Sequence, residues 1–352
     1  MAENHLLGML FWLAELIVAS FLLSYGAEHL SARYGARFIG RTLMSVATTL
    51  PEIAIVIFAA ANGFNGTALG AGLGSNLLMM TLGLAIMLLI ATTRLSIAPL
   101  KGIDVSMFKL DKIFLIVTSI ASAVLFFDGY NYIDGFIFTG LFFAYLVLAF
   151  REMRMEKKRD SQNGGNQNTD HDSLVNIPEA HAARKGLDRS MLMAILIFVI
   201  GTIGIFFGAQ PFIESLQGLA VDSGVSVIVL AVIISPIAGE MPEKLSMMML
   251  ARKGAAGASI AVANVLGSKI LNNTLLLAVA VFGAMNHAGF FAQIERTPIL
   301  TYQIILVTSV TIIALIPMFK KEIGLKVGIF LAAMYVTSIL LQFLLPHDIG
   351  AH

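Results

Sequence analysis

Apolar runs of about 20 residues recur along the whole chain, and they constrain its fold more than any other feature. A hydrocarbon core about 30 Å thick requires roughly 20 apolar residues in each helix that crosses it. Of the 352 residues, 57% are hydrophobic and only 13% are charged, whereas soluble domains carry about 25% charged residues. The sequence therefore predicts an all-α integral membrane protein and excludes an ordinary soluble domain.

The apolar runs divide into two groups of five, separated by one polar segment. Residues 151–188 are rich in Gly, Asn and Gln, a composition typical of a flexible linker. We therefore predict a first repeat over 1–150, a hydrophilic linker over 151–188 and a second repeat over 189–352. The ten predicted transmembrane helices cover about 6–27, 35–62, 66–92, 112–128, 132–150, 189–209, 225–251, 256–285, 297–317 and 324–345.

The placement of Lys and Arg predicts how the chain lies in the membrane, because these residues accumulate in cytoplasmic loops. If the linker is cytoplasmic, all but three of the 23 Lys and Arg residues lie in or beside cytoplasmic loops. The exceptions are Arg296, in a predicted outer loop, and Lys244 and Lys269, within predicted helices. We therefore predict a multi-pass protein of a cell inner membrane, with both termini outside and the linker cytoplasmic.

The two halves of the chain carry the same two short motifs. A Pro-Glu pair at 51–52 recurs 191 residues later at 242–243, and a Gly-Ser pair at 74–75 recurs 193 residues later at 267–268. Five helices and a linker make the two halves enter the membrane from opposite sides. Many secondary transporters are built from such inverted repeats, with the ion site near the midplane between them. The motifs therefore predict a 5+5 inverted repeat that arose by internal duplication.

Each half places a proline and a glutamate next to each other within an apolar helix. Proline frees backbone carbonyl groups that otherwise accept helical hydrogen bonds, and in lipid such groups persist only where protein, water or an ion satisfies them. A charged side chain at the centre of the bilayer costs at least about 2.5–3.5 kcal/mol. We therefore predict that Glu52 and Glu243 bind a cation together, where the helices are broken.

Other side-chain oxygens complete a predicted site for a hard cation. Calcium takes six to eight oxygen ligands, including carboxylates and carbonyl groups. The chain has no cysteine and no histidine cluster, so the sequence does not indicate a transition-metal site. Besides the two glutamates, the predicted ligands are Thr48, Thr49, Ser75, Ser268 and Asn272.

These motifs resemble those of a known family. T-x-L-P-E at 48–52, followed by L-G-x-x-x-G-S-N at 69–76, resembles the first alpha-repeat of the cation/Ca²⁺ exchanger superfamily. M-P-E at 241–243, followed by A-N-V-L-G-S at 263–268, resembles the second. The alpha-repeats then cover about 40–82 and 232–275.

The resemblance carries expectations for the site and for the mechanism. It implies that Glu52 and Glu243 share a central Ca²⁺ and that the first and sixth helices slide against a static core during alternating access. Asn76, the last residue of the first motif, joins the predicted ligands. The residues expected in flanking Na⁺ sites are Thr48, Ser75, Ser268 and Asn272.

The sequence departs from the family pattern around the predicted site. Met79 stands where an oxygen ligand is expected, Lys269 replaces an asparagine, and Gly239 occupies the usual threonine place. Glu240 stands where a small residue is usual, and Lys244 follows the second glutamate. We therefore add Glu240 to the predicted ligands and hypothesise that Lys269 pairs with it as a built-in cation in place of one Na⁺. In the alternative, Lys269 extends to the cytoplasmic edge of the membrane.

The sequence predicts a secondary antiporter that exchanges Ca²⁺ for Na⁺. Met79 and Lys269 leave open an antiporter of Ca²⁺, or of another divalent cation, against H⁺. The expected partners are Ca²⁺, monovalent cations and the lipid bilayer, with no cofactor, no nucleic acid and function as a monomer. A channel is disfavoured because two inequivalent glutamates indicate one site per chain rather than a ring of subunits. An enzyme is disfavoured because no nucleophile or metal-ligating histidine accompanies the carboxylates.

Overall fold

In the computed structural model, residues 2–33, 39–162 and 189–344 are described. These residues form ten long helices and two short strands, β1 (Ile103–Asp104) and β2 (Glu322–Ile323). The helices are α1 (Ala2–Arg33), α2 (Ile39–Ala61), α3 (Asn65–Thr92), α4 (Lys109–Leu125), α5 (Tyr132–Gln162), α6 (Arg189–Ser223), α7 (Val227–Ala251), α8 (Ala255–Ala288), α9 (Pro298–Leu315) and α10 (Leu325–Phe343).

The helices confirm the prediction of an all-α membrane fold. Eight of them are long and apolar enough to cross a membrane, and α2 and α7 contain the shorter apolar stretches Thr48–Ala61 and Val227–Met241. The start of the predicted linker, residues 151–162, continues helix α5 instead, so the predicted boundary at 150 is wrong. The rest of the linker, residues 163–188, and the end of the second repeat, residues 345–352, lie outside the described residues.

Helix α6 continues well beyond its predicted end at residue 209, although Pro211 follows there. Phe212, Ile213 and Leu216 are at most 1% exposed. Their burial outweighs the one hydrogen bond and the local clash that a proline costs within a helix. Packing therefore carries the helix to Ser223, which the local sequence did not indicate.

Two backbone pairings demonstrate the inverted relation of the halves. Ile103 pairs with Ile323 between β1 and β2, and Tyr130 pairs with Ile294 in an isolated bridge. Offsets of 191 and 193 residues, the same as those of the motifs, map Ile103 onto Ile294 and Tyr130 onto Ile323. Helix α4 runs from the first pairing to the second, so the two pairings lie at opposite ends of the bundle. The same contact is thus made once on each face of the membrane.

Helices α3 and α8 each contain one π-helical turn at the equivalent place. The turns cover Met79–Gly83 and Asn272–Leu276. Within them, the hydroxyl groups of Thr81 and Thr274 each donate to the carbonyl group four residues earlier. Such turns insert one extra residue and occur frequently at functional sites. The sequence predicted that the helices break at the two Pro-Glu pairs, but α2 and α7 continue through Pro51 and Pro242. The irregular turns lie in α3 and α8 instead.

The helices that carry the motifs form the centre of the bundle. In an apolar stretch of 18 residues taken from each helix, 83% of the stretch is buried in α3 and 72% in α8, against 17% in α5. Helix α3 lies so close to α7 that a Cβ atom at Gly74 would overlap the backbone carbonyl group of Val232. The polar residues in the middle of both helices, among them Ser75, Asn76, Ser268 and Asn272, are therefore buried.

Helices α1 and α6, the equivalent first helices of the two halves, pack against each other along most of their length. Glycine allows the two backbones to approach closely where the last third of α1 packs against the start of α6. A Cβ atom at Gly26 would lie 2.7 Å from the backbone nitrogen of Phe198, and one at Gly201 would overlap that of Leu23. Small residues at such contacts let membrane helices pack closely. This pair is the one predicted to slide.

The two backbone pairings lie at opposite ends of the bundle, and the distribution of Lys and Arg predicts which end faces outward. The chain has no cysteine of its own. A single cysteine introduced at the exposed residue Lys321 or Glu295 therefore shows which side of the membrane that loop faces. We expect a membrane-impermeant maleimide to label Glu295→Cys in intact cells and to label Lys321→Cys only after the membrane is opened. Labelling of both variants from the same side would contradict the inverted topology.

Candidate cation site

Three carboxylates converge at the centre of the bundle. Glu52 comes from α2, and Glu240 and Glu243 come from α7; one oxygen of each lies within 4.8 Å of the others. The three residues are 5%, 0% and 1% exposed. Removing such charges from water costs several kcal/mol for each ion, so buried carboxylates require compensating cations and hydrogen bonds. The structure thus brings together three of the predicted ligands.

Gly239 makes room for this convergence. A Cβ atom at this position would lie only 2.7 Å from Cγ of Glu52, a distance that real Cβ atoms essentially never show. The residue before Glu240 is therefore small because the Glu52 side chain passes over it. This is a physical reason for the missing threonine that the sequence comparison with the family pattern left unexplained.

Lys269 supplies a positive charge within the cluster. Its ammonium group forms an ion pair with Oε1 of Glu240, and both side chains are fully buried. It also donates a hydrogen bond of 2.7 Å to Oγ of Ser75. Lys269 therefore pairs with Glu240, as hypothesised, and does not extend to the membrane edge. That it replaces a bound Na⁺ stays a prediction.

Ser75 connects the two halves of the site. Its hydroxyl group lies 2.9 Å from Oε1 of Glu52 and also contacts Oε1 of Glu240. It accepts hydrogen bonds from Lys269 and, at 2.6 Å, from the amide nitrogen of Asn272. Since a hydroxyl group has one proton, it donates to one carboxylate at a time. Ser75 therefore joins a carboxylate of each repeat to the polar groups of α8.

Lys244 adds a second positive charge at the edge of the cluster. Its ammonium group lies 3.7 Å from Oε2 of Glu240, and its side chain is 15% exposed. It donates a hydrogen bond of 3.0 Å to the backbone carbonyl group of Pro236. The described cluster thus contains three carboxylates and two ammonium groups.

Several buried oxygens around the cluster have no hydrogen-bond donor among residues 2–33, 39–162 and 189–344. They are Oε2 of Glu52, Oε2 of Glu240, Oδ1 of Asn76 and Oδ1 of Asn272. The amide nitrogens of both asparagines are already bonded, to Asn273 and to Ser75. Leaving a buried polar atom unsatisfied costs about 1–3 kcal/mol. A hard cation, which prefers carboxylate and amide oxygens, would satisfy these atoms.

The remaining predicted ligands are also buried close to the cluster. Thr48 and Thr49 are each 1% exposed and lie one turn before Glu52 on α2. The hydroxyl group of Ser268 donates to the carbonyl group of Val265 in its own helix, at 3.2 Å. Their role as ligands stays a prediction.

Three polar residues of the site were missed by the sequence analysis. Asn264 donates a hydrogen bond of 3.2 Å to Oε1 of Glu243. Asn273 accepts from Asn76 and donates to Ser119 of α4 at 2.8 Å. Asn264 lies one turn before Ser268, which was a usable signal. The sequence did not indicate Asn273, because the direction of its side chain depends on the π turn.

The two repeats differ at equivalent positions of the site. Offsets of 191 and 193 residues map Thr49 onto Glu240 and Asn76 onto Lys269. A pair of neutral polar residues in the first repeat thus corresponds to a buried ion pair in the second. Conversely, the fully buried Met79 occupies the place that Asn272 holds in the second repeat. The site is therefore symmetric in its glutamates and asymmetric in the residues around them.

Comparisons with known proteins agree with this architecture. A family model described as sodium/calcium exchanger protein matches residues 4–151 and 193–344, one match in each half. An uncharacterized membrane protein of Methanocaldococcus jannaschii is 24% identical over 343 residues, which cover 95% of this chain and 97% of that protein. The inner membrane protein YrbG of Escherichia coli is 26% identical over 280 residues, which cover 76% and 79%.

Solved structures share the fold at low sequence identity. The H⁺/Ca²⁺ exchanger CAX superimposes with a TM-score of 0.73 at 18% identity, covering 98% of this chain and 82% of that one. The sodium-calcium exchanger NCX_Mj gives a TM-score of 0.57 at 21% identity, with coverages of 97% and 99%. YfkE gives 0.66 at 17% identity, with coverages of 96% and 92%.

The Glu240–Lys269 pair predicts a characteristic pattern of stabilities. Removing one partner of a buried ion pair leaves the other charge uncompensated, which costs about 3–5 kcal/mol. We expect Glu240→Gln and Lys269→Gln each to lower the melting temperature of the purified protein in detergent, and the double variant to recover much of the loss. The exposed-loop substitution Glu295→Gln serves as the control. Losses in the single variants that simply add in the double variant would contradict a direct pair.

Proposed function

Because the chain belongs to the sodium/calcium exchanger family, we propose that it is a secondary active antiporter that exchanges Ca²⁺ for Na⁺ by alternating access. The family consists of membrane transporters rather than enzymes. The observation that carries the proposal is the convergence of three buried carboxylates from both inverted repeats, within 4.8 Å of one another. Sites at the interface of inverted repeats are typical of secondary transporters.

The donor set favours a divalent hard cation as the transported ion. Glu52 and Glu243 provide carboxylates from the two repeats, and Asn76 and Asn272 provide amide oxygens without another donor. Ca²⁺ accepts such mixed oxygen ligands at about 2.3–2.6 Å with flexible geometry, whereas Mg²⁺ gives up its water reluctantly. We therefore assign Glu52 and Glu243 as the shared Ca²⁺ ligands.

Lys269 affects how many Na⁺ ions are exchanged for one Ca²⁺. Its buried ammonium group pairs with Glu240 and takes up negative charge that a bound Na⁺ would otherwise balance. We infer that one Na⁺ fewer binds in return for each Ca²⁺ than in a site with asparagine at this position. The thioether of Met79 offers a poor ligand for Na⁺ in the first repeat, since hard cations prefer oxygen.

A second candidate function is exchange of Ca²⁺, or of another divalent cation, against H⁺. Met79 and Lys269, which both remove places for Na⁺, favour it. The structural similarity to the H⁺/Ca²⁺ exchanger CAX is also compatible with it. The two candidates share the divalent site and differ only in the ion that returns.

We further propose that α1 and α6 slide as a unit against the other helices to expose the site alternately. Their glycine contacts, at Gly26 and Gly201, hold the two helices close together. The distribution of Lys and Arg supports an inner-membrane orientation with both termini outside. One site per chain supports function as a monomer.

The two shared glutamates provide the direct test of transport. In proteoliposomes loaded with Na⁺ and diluted into Na⁺-free medium, we expect uptake of radiolabelled Ca²⁺ by the wild-type protein. Glu52→Gln and Glu243→Gln should each lower the rate by about tenfold or more, which corresponds to an increase of at least about 1.4 kcal/mol in the activation free energy. Glu295→Gln, in an exposed loop, is the matched control. Undiminished uptake by both site variants would refute the proposal.

The coupling ion is tested by separating the two gradients. We expect a Na⁺ gradient at constant pH to drive Ca²⁺ uptake by the wild-type protein, and a pH gradient without Na⁺ to drive much less. Lys269→Asn, which restores the residue found at the equivalent Asn76, should increase the dependence of the rate on Na⁺ concentration. Uptake driven by the pH gradient alone would favour the second candidate. If the uptake rate of Lys269→Asn depended on Na⁺ in the same way as that of the wild-type protein, the role assigned to Lys269 would be wrong.

A further inference from the structure

The two lysines leave the site with one formal negative charge. The cluster contains the carboxylates of Glu52, Glu240 and Glu243 and the ammonium groups of Lys244 and Lys269. In their ordinary ionised forms, two of the three negative charges are balanced. Binding of one divalent cation then changes the formal charge of the cluster from −1 to +1.

This charge balance affects whether the protein can change between its inward-facing and outward-facing states without a bound ion. The energetic cost of holding a net charge in a medium of low dielectric constant grows with the square of that charge. The empty and the loaded cluster carry charges of equal size, so this cost is similar for both. If either lysine were neutral, the empty cluster would carry −2 and the loaded one would carry none. Only the loaded carrier would then cross the occluded state readily, which is the condition for obligatory exchange.

The lysines are attached to the site and cannot be released on either side of the membrane. Lys269 is fully buried and is held by Glu240 and Ser75. Lys244 is held by the carbonyl group of Pro236 beside Glu240. Their charges therefore stay with the carboxylates throughout the transport cycle, whereas a bound Na⁺ leaves at the end of each half-cycle.

We propose that the ammonium groups of Lys244 and Lys269 act as resident counter-ions that allow the empty carrier to reorient, so that the protein also catalyses net movement of a divalent cation without a returning cation. The inference rests on the proposed function, because it concerns the same site and the same ion. It adds that exchange is not obligatory. In this mode, the direction of flux follows the electrochemical gradient of the divalent cation alone.

The experiment compares net efflux with exchange in the same proteoliposomes. Vesicles loaded with radiolabelled Ca²⁺ are diluted into a choline medium that contains a chelator, or into the same medium with excess unlabelled Ca²⁺. Thiocyanate serves as the permeant anion that dissipates charge. Trapped pyranine in a weakly buffered lumen reports whether protons return. We expect net efflux by the wild-type protein within about tenfold of its exchange rate, without acidification of the lumen.

Net efflux should depend on the formal charge of the cluster in each variant. The ratio of net efflux to exchange, taken for each variant against its own exchange rate, should fall at least tenfold in Lys244→Gln and in Lys269→Gln. It should recover in Glu240→Gln/Lys269→Gln, because this double variant restores the charges of −1 and +1. Lys320→Gln, on an exposed loop, should leave both rates unchanged. The double variant also separates a charge effect from a folding defect at residue 269.

Failure of the inference differs from failure of the proposed function. Exchange without any net efflux by the wild-type protein would overturn the inference and leave the antiporter intact. An unchanged ratio in both single lysine variants would overturn it as well, as would proton return that accounts for the whole efflux. Absence of Ca²⁺ movement in every medium would instead overturn the proposed function, and the inference with it.

Discussion

The structure depends on the compensation of charge at the centre of the bundle. Three carboxylates lie within 4.8 Å of one another with almost no exposure to solvent, and such an arrangement repels itself in a medium of low dielectric constant. The ammonium group of Lys269, the hydroxyl group of Ser75 and the amide of Asn264 provide partners to these carboxylates. The oxygens that remain without a donor define where a further cation fits.

The inverted repeat explains both the position of the site and its asymmetry. Duplication places one Pro-Glu motif in each half, and inversion brings the two glutamates to the same depth from opposite sides. The residues around them have since diverged, because the ion pair of Glu240 and Lys269 stands where the first repeat has Thr49 and Asn76. A symmetric scaffold thus carries an asymmetric distribution of charge. That asymmetry is what distinguishes this site from one built only of two glutamates and neutral ligands.

Close approach of backbones is the second condition that the site requires. Gly74 lets α3 reach the backbone of α7, and Gly239 leaves room for the side chain of Glu52. The π turns of α3 and α8 then set the directions of the polar side chains that follow Ser75 and Ser268. Larger side chains at the two glycines would separate the carboxylates and weaken their common site. Small residues therefore matter here as much as charged ones.

The sequence by itself determined the features that depend on composition and spacing along the chain. It predicted ten helices, the two repeats and the glutamates Glu52 and Glu243, because hydropathy and motif offsets are local or periodic properties. Only the tertiary structure decided between the two alternatives for Lys269, since its partner Glu240 lies on another helix. The same holds for Asn264, whose bond to Glu243 depends on how α7 and α8 pack. Contacts between helices follow from the shapes of whole surfaces and from small residues at their crossings, and neither is encoded at a fixed distance along the chain.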